Sequence, residues 1–136
     1  MAYGTTARIA LGAACAALIG CSGATAPGGE LASGTYVLES VSGRGPAAGT
    51  LMLTRGGYAE RRVRYTEPNG SLSKEYIATG RFALRDDGTL DLQLREMGAK
   101  SDYIWKPETR LIEGRVELRH PDPADGPDVV EAYRRD

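Results

Sequence analysis

The chain has 136 residues, 41% of them hydrophobic, and its 17 Lys and Arg side chains nearly balance 18 Asp and Glu, for a formal net charge of −1. This length permits a single domain. The near-neutral charge gives no support to nucleic-acid binding, which depends on cationic side chains that neutralise phosphates. With two cysteines and one histidine, the chain offers few residues for a zinc site or a Cys–His catalytic pair.

A short apolar run follows Arg8 and ends at Cys21. Residues 9–20 carry no charged side chain, and the run closes on Leu18-Ile19-Gly20-Cys21. A helix needs about 20 apolar residues to span a bilayer, whereas about 10–14 suit the apolar part of a signal peptide. The run resembles a bacterial lipoprotein signal, and its last four residues match the lipobox of that family.

This resemblance implies that residues 1–20 are removed, that the Cys21 thiol is diacylated and that the new amino terminus is acylated. Ser22, rather than Asp, after the cysteine implies export to the outer membrane, and we expect the protein to face the periplasm there. Two or more acyl chains anchor a protein stably without a transmembrane helix. Cys15 would leave with the signal, so the mature chain could form no internal disulfide.

Residues 21–33 are predicted to be the lipidated Cys21 followed by a flexible tether, because small residues, Pro and Gly occur there without hydrophobic periodicity. The folded domain is predicted to cover 34–136, where the hydrophobic period is two. The alternation is clearest in 89–95 and recurs in 114–119. The pattern predicts eight strands, at 35–41, 49–55, 57–66, 73–85, 89–96, 102–107, 110–119 and 128–134.

Turn residues separate these strands, and no amphipathic helix of useful length appears. Gly56-Gly57 and Asp86-Asp87-Gly88 have the composition of tight hairpins. Many short strands joined by tight turns predict an all-β domain, a small up-and-down antiparallel β-barrel of about eight strands.

The order of these pieces also resembles small lipocalin-like bacterial lipoproteins. The resemblance covers most of residues 34–135 and implies a lipocalin-like barrel, without implying a role for any single residue. The matching pieces are Gly34-Thr35-Tyr36-Val37-Leu38, Gly49-Thr50-Leu51, Gly80-Arg81-Phe82, Gly88-Thr89-Leu90 and Tyr133-Arg134-Arg135. Tyr36 stands where lipocalins carry the Trp of their Gly-x-Trp signature.

The predicted barrel interior is apolar. An eight-stranded barrel is either just filled by its side chains or holds one small ligand. Ala78 and Gly80 could leave space, or could fit a crowded corner of a coiled strand. We favour a filled core because protein interiors are close-packed. The candidate interior residues are Phe82, Leu90, Leu92, Leu94 and Trp105, with Trp105 placed either in the core or, with Tyr103, in an exposed patch.

Other polar clusters have simple structural explanations. Arg62 and Arg64 share one strand face and Arg61 lies on the other, as on a solvated or guarded edge strand; contact with an acidic partner or headgroup is the alternative. Asp122, Asp125 and Asp128 could bind a hard cation, but three prolines already explain this segment as a rigid connection. His120 is expected to be a surface residue.

No motif for catalysis, metal binding or a cofactor is present, and we expect a non-enzymatic protein without a cofactor or metal. Two functions stay open. The first is an accessory, assembly or inhibitor protein, held to the membrane by its lipid and acting through contact with another envelope protein. The second is a carrier that holds a small apolar ligand inside the barrel.

Overall fold

Eight antiparallel strands form the domain, as the sequence predicts. The structure is a computed structural model that describes residues 29–98, 104–121 and 126–136. One short helix, α1, precedes the strands at Gly29–Ala32. The strands are β1 Gly34–Ser42, β2 Ala47–Leu53, β3 Tyr58–Tyr65, β4 Tyr76–Leu84, β5 Thr89–Glu96, β6 Glu108–Ile112, β7 Arg115–His120 and β8 Val129–Arg135.

The strands follow one another around a closed barrel, and β8 pairs with β1 to complete it. This confirms the predicted up-and-down β-barrel. Because successive strands run in opposite directions, the connections between them fall into two sets, one at each end of the barrel. The short connections 54–57, 85–88 and 113–114 meet at one end, together with α1 and the carboxyl terminus; we call this the tight-turn end. The strand ends that are joined by residues 43–46, 66–75, 97–107 and 121–128 lie at the opposite end, which we call the long-loop end.

Alternation along each strand directs every second side chain into the interior. In β5, Leu90, Leu92 and Leu94 are almost fully buried, while the residues between them reach the outer surface. In β3 the inward positions are Ala59, Arg61, Val63 and Tyr65. Tyr36 and Tyr133 are the largest side chains that are fully buried. The hydrophobic period of two therefore produces a two-sided sheet that closes around a packed core.

The sixth and seventh predicted strands are placed wrongly. The predicted strand 110–119 is two strands, because Glu113 and Gly114 both have positive φ, 49° and 76°, and form a two-residue hairpin between Ile112 and Arg115. Positive φ at both central residues is the geometry of a type I′ turn. Glu is an unusual first residue for that turn, so the sequence gives only a weak signal for it.

The predicted strand 102–107 is represented by a single bridge, in which Trp105 exchanges both backbone hydrogen bonds with Leu94. Further along β5, Leu90 pairs with Thr109. The same register places Pro107 opposite Leu92, and proline has no N–H to donate to the ladder. The segment 105–112 thus runs beside β5 in one register, and Pro107 interrupts it.

Gly80 distinguishes between the two interpretations of the small residues in β4, which were empty space inside the barrel and a close approach of two strands. A Cβ atom built on Gly80 would lie 1.8 Å from the backbone oxygen of Gln93. The backbone of β5 therefore fills the space beside this glycine, which serves the close approach of two coiled strands rather than a void. Ala78, the other small residue of this face, is buried in the same core.

The last part of the predicted tether packs onto the barrel. Ala32, in α1, is fully buried, and its carbonyl oxygen accepts a 2.7 Å hydrogen bond from the Tyr36 hydroxyl. The Arg135 guanidinium donates to the Leu31 carbonyl at 2.7 Å and to the Tyr36 hydroxyl at 2.9 Å. These bonds fix the chain at the tight-turn end from α1 onward. Cys21 and residues 21–28 lie outside the described residues.

Candidate functional site

A buried ion pair crosses the interior of the barrel. Arg61 lies on β3 and Glu131 on β8, two strands that are not neighbours because β1 and β2 separate them. Arg61 Nε donates to Glu131 Oε2 at 2.9 Å, and Arg61 Nη2 donates to Oε1. Glu131 is fully buried and Arg61 is 5% exposed. Such a two-point pair fixes the orientation of both planar groups.

Two tyrosine hydroxyls complete the shell of the carboxylate. Tyr133 donates to Glu131 Oε2 at 2.8 Å, and Tyr65 donates to Oε1 at 3.1 Å. The Tyr65 hydroxyl also accepts a hydrogen bond from Arg61 Nη2 at 2.8 Å. Each carboxylate oxygen therefore has two donors, which is the satisfaction that a buried charge requires.

This environment keeps both Glu131 and Arg61 ionised. Burial alone would raise the pKa of the Glu131 carboxyl, but the proximity of the His120 imidazole, 3.6 Å away, and the hydrogen bonds from Arg61 lower that pKa to about 2. Burial would lower the pKa of Arg61, and its hydrogen bonds to Glu131 instead hold it above its usual value. Burial raises the pKa of the Tyr133 and Tyr65 hydroxyls. The pair is ionised and the tyrosines are neutral at neutral pH.

His120 and Trp105 close the cluster toward the long-loop end. The His120 side chain is only 11% exposed, so the expectation that it lies on the surface is wrong. Its Nε2 atom is buried without a hydrogen-bond partner and lies 3.6 Å from Glu131 Oε1, too far for a hydrogen bond. The Trp105 ring meets the imidazole edge-on, with centroids 4.9 Å apart, and the Arg61 guanidinium lies 5.1 Å from the Trp105 centroid.

The arrangement of the cluster is better suited to stabilising the barrel than to general acid–base catalysis by Glu131. A general base must reach the proton of a substrate and should have a pKa near the working pH. The Glu131 carboxylate is saturated with donors, buried, and has a strongly lowered pKa. Across residues 29–98, 104–121 and 126–136, no group of three or more His, Cys, Asp or Glu is arranged to hold a metal ion.

The candidate interior residues predicted from the sequence come together on one wall. Phe82 pairs with Leu92 across β4 and β5, and Trp105 bridges to Leu94. Phe82 and the three leucines of β5 are at most 3% exposed, and Trp105 is partly buried against the same core. Of the other candidates, Tyr103, Asp122 and Asp125 lie outside the described residues, and Asp128 is exposed.

The polar members of the cluster were missed at the sequence level, although strand parity contains the signal. Arg61 shares its face with Ala59 and Val63. Glu131 lies between Val129 and Tyr133, and His120 continues the face of Val116 and Leu118. Each therefore stands on an inward position, and two opposite charges on inward positions predict a buried pair. That these two meet across 70 residues of sequence requires the barrel geometry.

The outer wall carries charges in balanced pairs. Arg62 pairs with Glu60 and with Glu75, and the surrounding side chains are partly exposed. An open groove on the outside of β6, β7 and β8 has the same character, because Glu108 faces Arg119 and Arg110 faces Glu117 across the strands. Ile112, 48% exposed, and Val130 add apolar area to this groove.

No protein-family model, curated protein or solved structure matches the chain. No helix among the described residues has the length and apolar character needed to cross a bilayer.

Proposed function

We propose that this protein is a lipid-anchored protein of the bacterial cell envelope, without enzymatic activity, whose lipocalin-like barrel acts by binding another envelope protein through its outer surface. The observation that carries the proposal is the Arg61–Glu131 pair across the interior. The pair crosses the interior between β3 and β8, and a carrier would hold its ligand in that interior. The outer wall and the loops are then the surfaces left for recognition.

The cost of opening the interior favours this function over the carrier. A ligand placed between β3 and β8 would have to separate Arg61 from Glu131. Leaving one partner of a buried ion pair uncompensated typically costs about 3–5 kcal/mol. An apolar ligand offers no hydrogen bonds to replace those of the carboxylate, so the transfer energy from its burial would first have to offset this cost.

The lipid anchor rests on Leu18-Ile19-Gly20-Cys21, and the position of Ser22 favours the outer membrane. The structure supports the arrangement through α1, which brings the chain out at one end of the barrel. The eight-stranded up-and-down order supports the lipocalin-like description of the scaffold. That likeness concerns the scaffold and carries no ligand with it.

A binding titration tests the filled interior. Residues 21–136, without acyl chains, are titrated with an environment-sensitive apolar dye while the emission of Trp105, the only Trp, is followed. We expect a weak, non-saturable signal. Saturable binding of one dye per chain, competed by a fatty acid and abolished by Leu92→Trp, would establish the carrier instead.

Cross-linking in the envelope tests the protein contact. A photo-reactive amino acid replaces Arg119 in the groove of β6–β8 or, in a second variant, Arg62 on the opposite wall, so that each wall is tested in turn. We expect a discrete cross-linked protein from at least one wall, with the yield differing between the two. If neither wall gives a discrete product above the background of a free periplasmic barrel, contact through the outer wall is excluded.

Acyl labelling tests the anchor. Cells fed a labelled fatty acid should incorporate it into the wild-type chain and not into Cys21→Ser, and only the wild type should sediment with the outer membrane. Sedimentation unchanged by the substitution would contradict lipidation at Cys21.

A further inference from the structure

The two ends of the barrel differ in how the chain is attached to them. The tight-turn end holds α1, which is fixed by the hydrogen bond from Tyr36 to Ala32 and by the bond from Arg135 to Leu31. The Arg135 guanidinium also lies 5.4 Å from the Tyr36 ring centroid. Every connection of more than four residues is at the opposite, long-loop end. Any force transmitted along the chain from Cys21 therefore acts on the tight-turn end.

We infer that the tight-turn end is the surface that faces the lipid bilayer and that the long-loop end faces away from it. The inference depends on the proposed acylation of Cys21. Only seven residues, 22–28, lie between Cys21 and Gly29, where α1 begins, so eight Cα–Cα steps join the two. An unstructured chain of eight steps would span about 16 Å on average, and at most about 29 Å when fully extended.

The height of the barrel makes the opposite orientation unfavourable. Strands of eight residues, such as β5, tilted by about 40° reach about 20 Å along the barrel axis. To place the long-loop end on the bilayer, the linking segment would have to run along the whole outer wall, at about two thirds of its full extension and beyond its average span. Holding the segment at that length on one path removes part of its conformational freedom.

Leu31 supplies a second, independent observation. It lies in α1, where the chain leaves the barrel, and its side chain is 74% exposed, the largest value among the exposed hydrophobic residues of the described chain. An apolar side chain at this point gains by contact with the acyl boundary of a bilayer. The exposed apolar residues of the long loops, Leu72, Met97 and Ile104, are then directed toward the aqueous side, where a protein partner would meet them.

Fluorescence quenching by the bilayer tests the orientation. The acylated protein is reconstituted into vesicles of phosphatidylethanolamine and phosphatidylglycerol that contain a headgroup-quencher lipid. One dye is attached through Asp86→Cys at the tight-turn end or, as the matched position, through Leu72→Cys at the long-loop end; both side chains are exposed. We expect the Asp86→Cys label to be quenched several-fold more strongly. Equal quenching, or stronger quenching at Leu72→Cys, would overturn the inference.

Two controls distinguish the effect of tether length from the effect of the lipid anchor itself. Insertion of twenty Gly and Ser residues between Cys21 and Gly29 should reduce the difference between the two labels, because the longer tether releases the barrel. An unchanged difference would contradict the role of tether length. Flotation of the vesicles distinguishes the inference from the proposed function: unlabelled protein that fails to float overturns the anchor and the orientation with it, whereas floating protein with reversed quenching overturns the orientation alone.

Discussion

Arg61 and Glu131 are 70 residues apart in the chain and lie on strands that are not neighbours in the sheet, yet their side chains form a two-point ion pair across the barrel interior. The pair joins two walls that backbone hydrogen bonds connect only through β1 and β2. It therefore opposes separation of β3 from β8, in addition to the backbone ladder through β1 and β2.

Single and double substitutions should show the coupling of this pair. Arg61→Met or Glu131→Gln alone leaves a buried charge uncompensated and should lower the free energy of unfolding by about 3–5 kcal/mol. The double variant should cost clearly less than the sum of the two, because no charge is then left unpaired. Urea denaturation measures all three. Glu60→Gln, in the partly exposed pair with Arg62, is the control and should stay within about 1 kcal/mol. Additive costs would refute the coupling.

Acid should destabilise the barrel through Glu131. Its pKa is about 2 in the folded protein against a usual value of 4.5, so the unfolded chain binds the proton more readily. The stabilisation is therefore complete above pH 4.5 and is lost as the pH falls toward 2, an effect of about 3 kcal/mol if this carboxyl acts alone. Urea midpoints measured across that range should fall, and the double variant Arg61→Met/Glu131→Gln should show a smaller slope. Equal slopes would assign the acid sensitivity to other carboxyls.

The inward face of β5 should tolerate charge far less than its outward face. Leu92 is 2% exposed, and Leu92→Asp should destabilise by more than about 3 kcal/mol because an unpaired carboxylate would enter the core. Gln93→Asp, next to it and paired across the strands with Arg81, should stay within about 1 kcal/mol. Thermal or urea unfolding of both variants measures the two losses of stability. Similar losses would mean that the inward and outward faces of β5 are assigned wrongly.

The β6–β7 turn can be tested with glycine variants. Gly114 has a φ of 76° and open space where a Cβ would stand, so Gly114→Ala should cost about 1 kcal/mol through backbone strain alone. Gly56 also has open space but no positive φ, and Gly56→Ala should be neutral or slightly stabilising. Glu113→Asn should stabilise the hairpin, because Asn-Gly suits a type I′ turn. A destabilised Glu113→Asn variant would contradict the assigned turn.

Local patterns in the sequence predict most of this architecture. Leu90, Leu92 and Leu94 alternate so regularly that β5 is predicted with its correct bounds, and the Gly- and Asp-rich turns place the other hairpins. The Glu113-Gly114 turn is not predicted, since nothing about Glu indicates a left-handed conformation and the alternation continues on both sides of it. The Arg61–Glu131 pair cannot be predicted from local pattern, for another reason. Strand parity directs both side chains inward, but which inward side chains meet depends on the curvature and closure of the whole barrel.

At Pro107 the hydrogen-bonded ladder between β5 and β6 is interrupted, and we call this interruption the seam of the barrel. Next to it, β5 and β6 pair only through Thr89–Arg110 and Leu90–Thr109, before the single bridge at Trp105. A closed barrel has no strand edge for another chain to use. Parting at this seam would create two edges at once, one of them the leucine-rich β5. If the protein self-associates when partly unfolded, strand exchange between copies should therefore begin here, and amide hydrogens of β5 and β6 should exchange with solvent before those of the ladder between β1 and β8.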